Sequence, residues 1–251
     1  MTFYNILYIL TIVLECVTVP MFLKYYWPQK CKQSMLFKMI SATLFVLCGV
    51  AAMKIADNNT PYATMIIWGL VFGWLGDLFL HWLSNKIAIY AVGVVAFLTG
   101  HIFYLIALQK AIITRYPGSN TFEWYEIVFV AVVIIAVTIL AVFKGFYKDR
   151  AGMTAGLTAY GVLLLAMFAK CARYAIGEWA YGTNDNMVAV FITVLGGGFL
   201  FAVSDILLGY ILFFKDKKRI WRVINIVTYF IAQILLASSI LVVRSSYPLY
   251  N

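Results

Sequence analysis

The sequence predicts an all-α, polytopic membrane protein: one bundle of eight transmembrane helices, forming a single integral membrane domain over residues 1–251. Three observations predict it. The residues AVILMFWYC make up 64% of the chain and charged residues only 12%, against about 45–50% and about 25% in soluble domains. Mean hydropathy is +0.93. The apolar residues also gather in runs of about 20, the length a helix needs to cross the hydrocarbon. So little charge cannot cover a water-facing surface. A soluble domain, a disordered chain, a fibrous repeat and a disulfide-stapled secreted fold are excluded.

The eight runs are residues 4–25, 34–54, 62–83, 87–109, 124–144, 153–173, 187–214 and 223–243. The first is too long and uninterrupted for a signal peptide and lacks a basic start and an A-x-A site, so it reads as a retained span. The others are continuously apolar, without the alternation of a β-barrel. The seventh is long enough to tilt or to emerge into the interface. The connections are about fifteen residues at most, which leaves no room for an extramembrane domain. Whatever chemistry the chain performs belongs inside the bilayer or at its surface.

Nineteen Lys and Arg against ten Asp and Glu give a net charge of +9. In a soluble domain that would invite a nucleic-acid reading. Here the excess lies between spans, where it sets orientation, and no nucleic-acid partner is expected. Thirteen basic residues, from Lys24 and Lys30 through Lys148 and Arg150 to Arg222, flank the odd connections; Lys54, Lys110, Arg115, Lys170, Arg173 and Arg244 flank the others. The imbalance predicts odd loops in the cytoplasm and both termini outside, in a bacterial inner membrane or a eukaryotic endomembrane. Cys16, Cys31, Cys48 and Cys171 lie far apart and form neither a zinc signature nor a disulfide framework.

An acid at the centre of a spanning helix costs about 2.5–3.5 kcal/mol on insertion scales. Glu15, Asp77 and Asp205 occupy such positions. Counting about 1.5 Å per residue puts Asp77 roughly 9 Å, and Glu15 and Asp205 roughly 14 Å, from the cytoplasmic helix ends. All three share the same half of the membrane. Gly69, Gly73, Gly76 and Asp77 follow one helical face, as do Gly198, Ala202, Asp205 and Gly209. Small-residue stripes mark where membrane helices meet, so both aspartates should point into the bundle. Gly69, Gly73 and the Gly152/Gly156 pair read as packing positions.

Other polar residues align in the same way. Gly156, Tyr160, Leu163 and Met167 share a face of the sixth span, and Asn225, Tyr229, Gln233 and Leu236 a face of the eighth. Tyr160, Tyr229 and Lys38 fall level with the acids. Gly93, Phe97, Gly100, His101 and Tyr104 mark the fourth span, but His101 counts out nearer the far side: either its helix begins deeper or it stands outside the cluster. His81, at a helix end, reads as interfacial.

The inventory narrows the chemistry. Catalytic zinc usually takes three protein ligands, and the chain has two histidines without i, i+4 pairing; no metal and no cofactor are expected. There is no Gly-x-Ser-x-Gly elbow, no P-loop and no dinucleotide fingerprint; Gly196-Gly197-Gly198 sits mid-span with no strand before it. What remains is a pair of carboxyl groups in an apolar bundle. Such a pair can divide the labour, one donating a proton while the other stays ionised. That suits hydrolysis through an oxocarbenium-like intermediate, the problem glycosidases solve with two carboxyls. It also suits a proton-coupled transporter of small molecules or lipids.

A resemblance goes further. Gly76-Asp77-Leu78-Phe79-Leu80, followed by Gly93-Val94-Val95-Ala96-Phe97-Leu98-Thr99-Gly100-His101-Ile102-Phe103-Tyr104, resembles the paired third and fourth helices of the YhhN-like lysoplasmalogenase family. Gly197-Gly198-Phe199-Leu200-Phe201-Ala202-Val203-Ser204-Asp205 resembles its Phe-x-x-Ser-Asp helix, and Thr228-Tyr229-Phe230-Ile231-Ala232-Gln233-Ile234-Leu235 its closing Tyr-x-x-x-Gln signature. Tyr160 and Met167 also fit. The likeness runs over roughly residues 35–240, with four motifs in order. Lys38 is followed by Met39 where the family commonly shows Lys-Pro.

The resemblance implies cleavage of the vinyl ether of a lysoplasmalogen, giving a fatty aldehyde and glycerophosphoethanolamine or glycerophosphocholine. On that reading one of Asp77 and Asp205 protonates the enol ether, and the other stabilises the cation and activates water. Lys38, His101, Tyr104, Tyr160, Tyr229, Gln233 and Glu15 would line the substrate site. The lysophospholipid would enter sideways from the bilayer, its phosphate drawn to the basic rim. A transporter, or a non-catalytic scaffold or lipid sensor, is the competing expectation. Inverted repeats and broken helices, frequent in transporters, are not evident in the sequence.

Overall fold

The structure, a computed structural model, describes residues 2–27, 31–56, 60–81, 86–143, 151–181, 186–214 and 218–243, with the backbone alone at 87, 140–143, 151–157 and 212–214. Among the described residues every regular element is helical. In chain order these are α1 (Phe3–Tyr26), α2 (Lys32–Ile55), α3 (Pro61–His81), α4 (Ile87–Arg115), α5 (Trp124–Phe143) and α6 (Ala151–Tyr181). Next comes one continuous rod made of α7 (Met187–Val190), a π turn (Phe191–Gly196) and α8 (Gly197–Phe214). α9 (Arg219–Ser238) closes in a 3-10 turn, Ser239–Leu241. Seven of the rods are long and apolar enough to cross a membrane, and α5 is a shorter apolar helix over Trp124–Ile139. The chain is a polytopic helical bundle, an integral multi-pass membrane protein.

The helix starts are written locally. Thr2 Oγ1 accepts from the Asn5 amide at the head of α1, and Thr60 does the same for Ala63 ahead of Pro61, a proline at the first position, where no amide is needed. At α2, Cys31 and Ser34 form a reciprocal cap. Ser34 Oγ also meets His81 Nε2 at 2.9 Å, tying the start of α2 to the end of α3. His81 is buried, with its ring against Phe22 and Tyr26.

Several helices outrun their apolar runs. α4 continues to Arg115 and α6 to Tyr181, because the charges that end the runs are paired inside the protein. Arg115 Nε lies 2.8 Å from Glu178 Oε1. Lys170 Nζ lies 2.8 Å from Glu126 Oε2 and also donates to the Thr121 carbonyl. Arg173 reaches both Glu123 and Glu126 at 3.1 Å. The first pair joins α4 to α6, and the others pin α5 and the turn before it, with Gly118 at φ +85°, onto α6. Arg115, Lys170 and Arg173, read from the sequence as orienting charges, also fasten helices to one another. Lys30, Lys144, Lys148, Arg150, Lys215, Lys217 and Arg244, Trp82 and the surroundings of Gly152 and Gly156 lie outside the described residues.

The core is aromatic. Phe22, Phe45, Tyr62, Tyr104, Tyr174, Phe201 and Phe230 are buried. Exposed apolar side chains such as Val13 and Val17 on α1 and Ile127, Val132 and Ile135 on α5 face outward, as a lipid-facing surface requires. The π turn precedes the glycine run, and α8 passes its neighbours closely: a Cβ on Gly197 would stand 3.2 Å from Leu235 Cβ, and one on Gly198 2.6 Å from Cys171 Sγ.

Candidate active site

Six helices deliver polar side chains to one region. Asp77, on α3, is 1% exposed. Its Oδ1 lies 2.9 Å from Lys38 Nζ of α2, and its Oδ2 accepts from the Tyr229 hydroxyl of α9 at 2.8 Å. Behind Tyr229 the chain of hydrogen bonds continues. Gln233 Nε2 donates to the Tyr229 oxygen at 3.0 Å, and Tyr104 of α4 donates to Gln233 Oε1 at 2.7 Å. Lys38 Nζ also stands 5.9 Å from the centre of the Phe22 ring, so an apolar face covers the ion pair.

The glycine stripe of α3 explains how these groups fit. A Cβ on Gly73 would stand 2.8 Å from Gln233 Nε2, and one on Gly69 or Gly76 would enter the rings of Tyr104 and Phe97. The stripe does more than let α3 and α4 approach, as the sequence reading had it. It is the row of sockets in which Tyr104, Gln233 and Phe97 sit.

Asp205, on α8, forms a second centre. Tyr160 of α6 donates to its Oδ2 at 2.5 Å, and His101 Nε2 of α4 stands 3.3 Å from the same oxygen. The residue before it locks the backbone: Ser204 Oγ donates to the Asn225 carbonyl at 3.0 Å, and Asn225 Nδ2 donates back to the Ser204 carbonyl at 2.7 Å. His101 thus belongs to the cluster. The depth count took the first residue of its helix as the membrane face. α4 has 29 residues, about 44 Å at 1.5 Å each, and overruns a hydrocarbon core of about 30 Å.

The two centres are neighbours. Phe201 stacks edge-on to His101 at 4.8 Å and to Tyr229 at 5.7 Å, and Phe97 meets Tyr229 at 5.8 Å. Phe97 and Phe201, absent from the candidate residues, form the wall between the two centres. Their place within the glycine-rich motifs was the available signal.

Glu15 stands apart. It is buried on α1, with Oε2 3.4 Å from Thr18 Oγ1 and Oε1 without a hydrogen-bond partner among the described residues. Among the described residues no hydrogen bond or ion pair joins it to Lys38 or Asp77. Elsewhere, a cleft of about 490 Å³ opens between α5 and α6 beside Tyr116, Phe129, Phe168 and Arg173. None of the residues that line it belongs to either carboxyl centre.

Fold and site together define a class: a polytopic helical membrane protein with two buried carboxyl centres, one ion-paired and one facing an imidazole. Within that class the chain belongs to the YhhN family, whose model matches residues 33–240. Both centres and all their partners fall in that range, while α1 with Glu15 and Phe22 precedes it. Neither the curated proteins nor the solved structures give a match.

Proposed function

We propose that the protein is a lysoplasmalogenase-like membrane hydrolase, cleaving the vinyl ether of a lysoplasmalogen to a fatty aldehyde and glycerophosphoethanolamine or glycerophosphocholine. The observation that carries this reading is the pairing of two buried carboxyl groups, on α3 and α8, across an aromatic wall. Family membership supports it. The alkenyl chain, single and apolar, enters sideways from the lipid and lies against Phe97 and Phe201.

Hydrolysis of an enol ether begins with a proton on the β-carbon, and the positive charge then spreads over the α-carbon and the ether oxygen. One aspartate supplies the proton. The other, as a fixed anion, favours the oxocarbenium ion and orients water, the kind of electrostatic preorganisation that lowers a barrier most in a water-poor site. Lys38, Tyr229, Gln233 and Tyr104 hold Asp77, while Tyr160 and His101 hold Asp205, so most of their polar atoms serve the carboxyl groups rather than the glycerol oxygens.

The test is aldehyde release from lysoplasmalogen by purified protein, with the corresponding acyl lysophospholipid as control. Asp77→Asn and Asp205→Asn are each expected to abolish release while the protein stays folded in detergent. Full activity in either variant removes that residue from the chemistry. Proton-dependent flux without cleavage would replace the hydrolase with a transporter.

A further inference from the structure

The two carboxyl groups have unlike company. Asp77 meets an ammonium group, Lys38 Nζ. Asp205 meets a hydroxyl and an imidazole, and no Lys or Arg among the described residues is ion-paired to it. His101 carries the distinction. Its Nδ1 lies 2.8 Å from the carbonyl oxygen of Phe97, one turn back on α4. A carbonyl only accepts, so Nδ1 bears a hydrogen. In a neutral imidazole the other nitrogen is then bare. Yet Nε2, on a side chain 1% exposed, has no aligned hydrogen bond to any described atom and faces Asp205 Oδ2. Two lone pairs opposed in an apolar pocket repel, whereas a hydrogen on either atom makes the contact attractive: an ion pair if it sits on Nε2, a neutral acid facing a bare nitrogen if it sits on Oδ2.

We infer that Asp205 and His101 jointly hold one ionisable hydrogen at rest, and that this pair is the proton donor of the reaction while Asp77, paired with Lys38, is its anion. The inference rests on the hydrolase reading above for the second half only; the shared hydrogen stands on geometry alone. His101 acts through Asp205 and is a positioning residue, turned by the Phe97 carbonyl and packed against Phe201 and Tyr160. The balance closes. The hydrogen leaves Asp205 for the β-carbon, whose π electrons form the new C–H bond. Water adds to the α-carbon and returns one hydrogen to the Asp205–His101 pair. The hemiacetal C–O bond then breaks, its hydroxyl hydrogen passing to the departing glycerol oxygen as the aldehyde forms. Asp77 stays an anion throughout.

The chain has two histidines, so nitrogen-15 NMR of the full-length protein labelled at histidine shows two imidazoles, assigned by His101→Gln. The expected spectrum has His101 hydrogen-bearing at Nδ1, with an Nε2 resonance that moves in Asp205→Asn and stays in place in Asp77→Asn. A bare Nδ1, or an Nε2 resonance indifferent to Asp205→Asn, overturns the shared hydrogen. In turnover, His101→Asn keeps an N–H for the Phe97 carbonyl and loses Nε2; kcat is expected to fall by about a hundredfold, the lower end for general acid catalysis, with KM unchanged. An unchanged kcat overturns the role in donation. Should the wild-type protein cleave no vinyl ether, the hydrolase reading and the donor assignment both fail, and the nitrogen resonances still decide the pairing.

Discussion

Lys38 Nζ and Asp77 Oδ1, 2.9 Å apart, join α2 to α3 by an ion pair at the edge of the bundle's aromatic core, with the Phe22 ring nearby. Removing one partner of a buried pair costs about 3–5 kcal/mol because the other charge is left alone. Lys38→Met is therefore expected to lower the melting temperature in detergent. In an Asp77→Asn background, where no anion remains, the same substitution should cost much less. Equal losses in both backgrounds, measured by thermal unfolding, would show that the pair is not coupled.

Tyr229 links Asp77 to Gln233 and, through it, to Tyr104. A hydrogen bond to a charged group contributes about 1.5–3 kcal/mol. Tyr229→Phe keeps the ring against Phe97 and Phe201 and deletes the hydroxyl. Aldehyde release is expected to drop roughly 10- to 100-fold, and unfolding stability to fall by about 1.5–3 kcal/mol. A variant as active as the wild type would exclude the hydroxyl from holding Asp77.

The sockets on α3 separate packing from function. At Gly69 a methyl group meets the ring of Tyr104, which is buried and cannot retreat, so Gly69→Ala should destabilise by about 1–3 kcal/mol. At Gly73 it meets the far end of the Gln233 side chain, which can rotate aside. Gly73→Ala should therefore fold nearly normally yet lose activity, because Gln233 then leaves Tyr229. Paired unfolding and turnover measurements decide, and wild-type turnover in Gly73→Ala would make that socket mere packing.

Lys170, 0% exposed, balances Glu126 at the other end of α6, with Arg173 alongside. Lys170→Met should destabilise the protein by about 3–5 kcal/mol and leave the specific activity of the folded fraction near wild type. Glu126→Gln added to it should restore part of the lost stability. A selective loss of turnover in a fully folded Lys170→Met protein would give this cluster a part in the chemistry.

Much of this was legible in the residues. Apolar run length gives spans because the hydrocarbon has a fixed thickness, and helical spacing put Asp77, Asp205, Tyr160 and Tyr229 on inward faces, where the structure has them. Spacing names a face and not the neighbour across it. Hence the union of Lys38 with Asp77 rather than with Glu15, the seat of Gln233 over Gly73, and the Glu126–Lys170 fastening emerge only from the packed bundle. Depth arithmetic failed for His101 because α4 is longer than the membrane is thick. Nor does a chain position near a helix end tell that the Ser34 hydroxyl of another helix meets His81.

The π turn at Phe191–Gly196 lies just upstream of the helix that carries Asp205. Each residue in an ordinary helix advances the azimuth by about 100°, and a wide turn takes up a surplus residue without breaking the rod. Excising a single amino acid there would return the rod to a regular spiral with both flanks close to their present azimuths. Excising one from the regular stretch between Gly197 and Asp205, which has no such slack, would swing the carboxyl group by about 100° away from Tyr160 and His101. The wide turn is thus a place where the rod tolerates a change of length while a carboxyl group stays aimed at an imidazole.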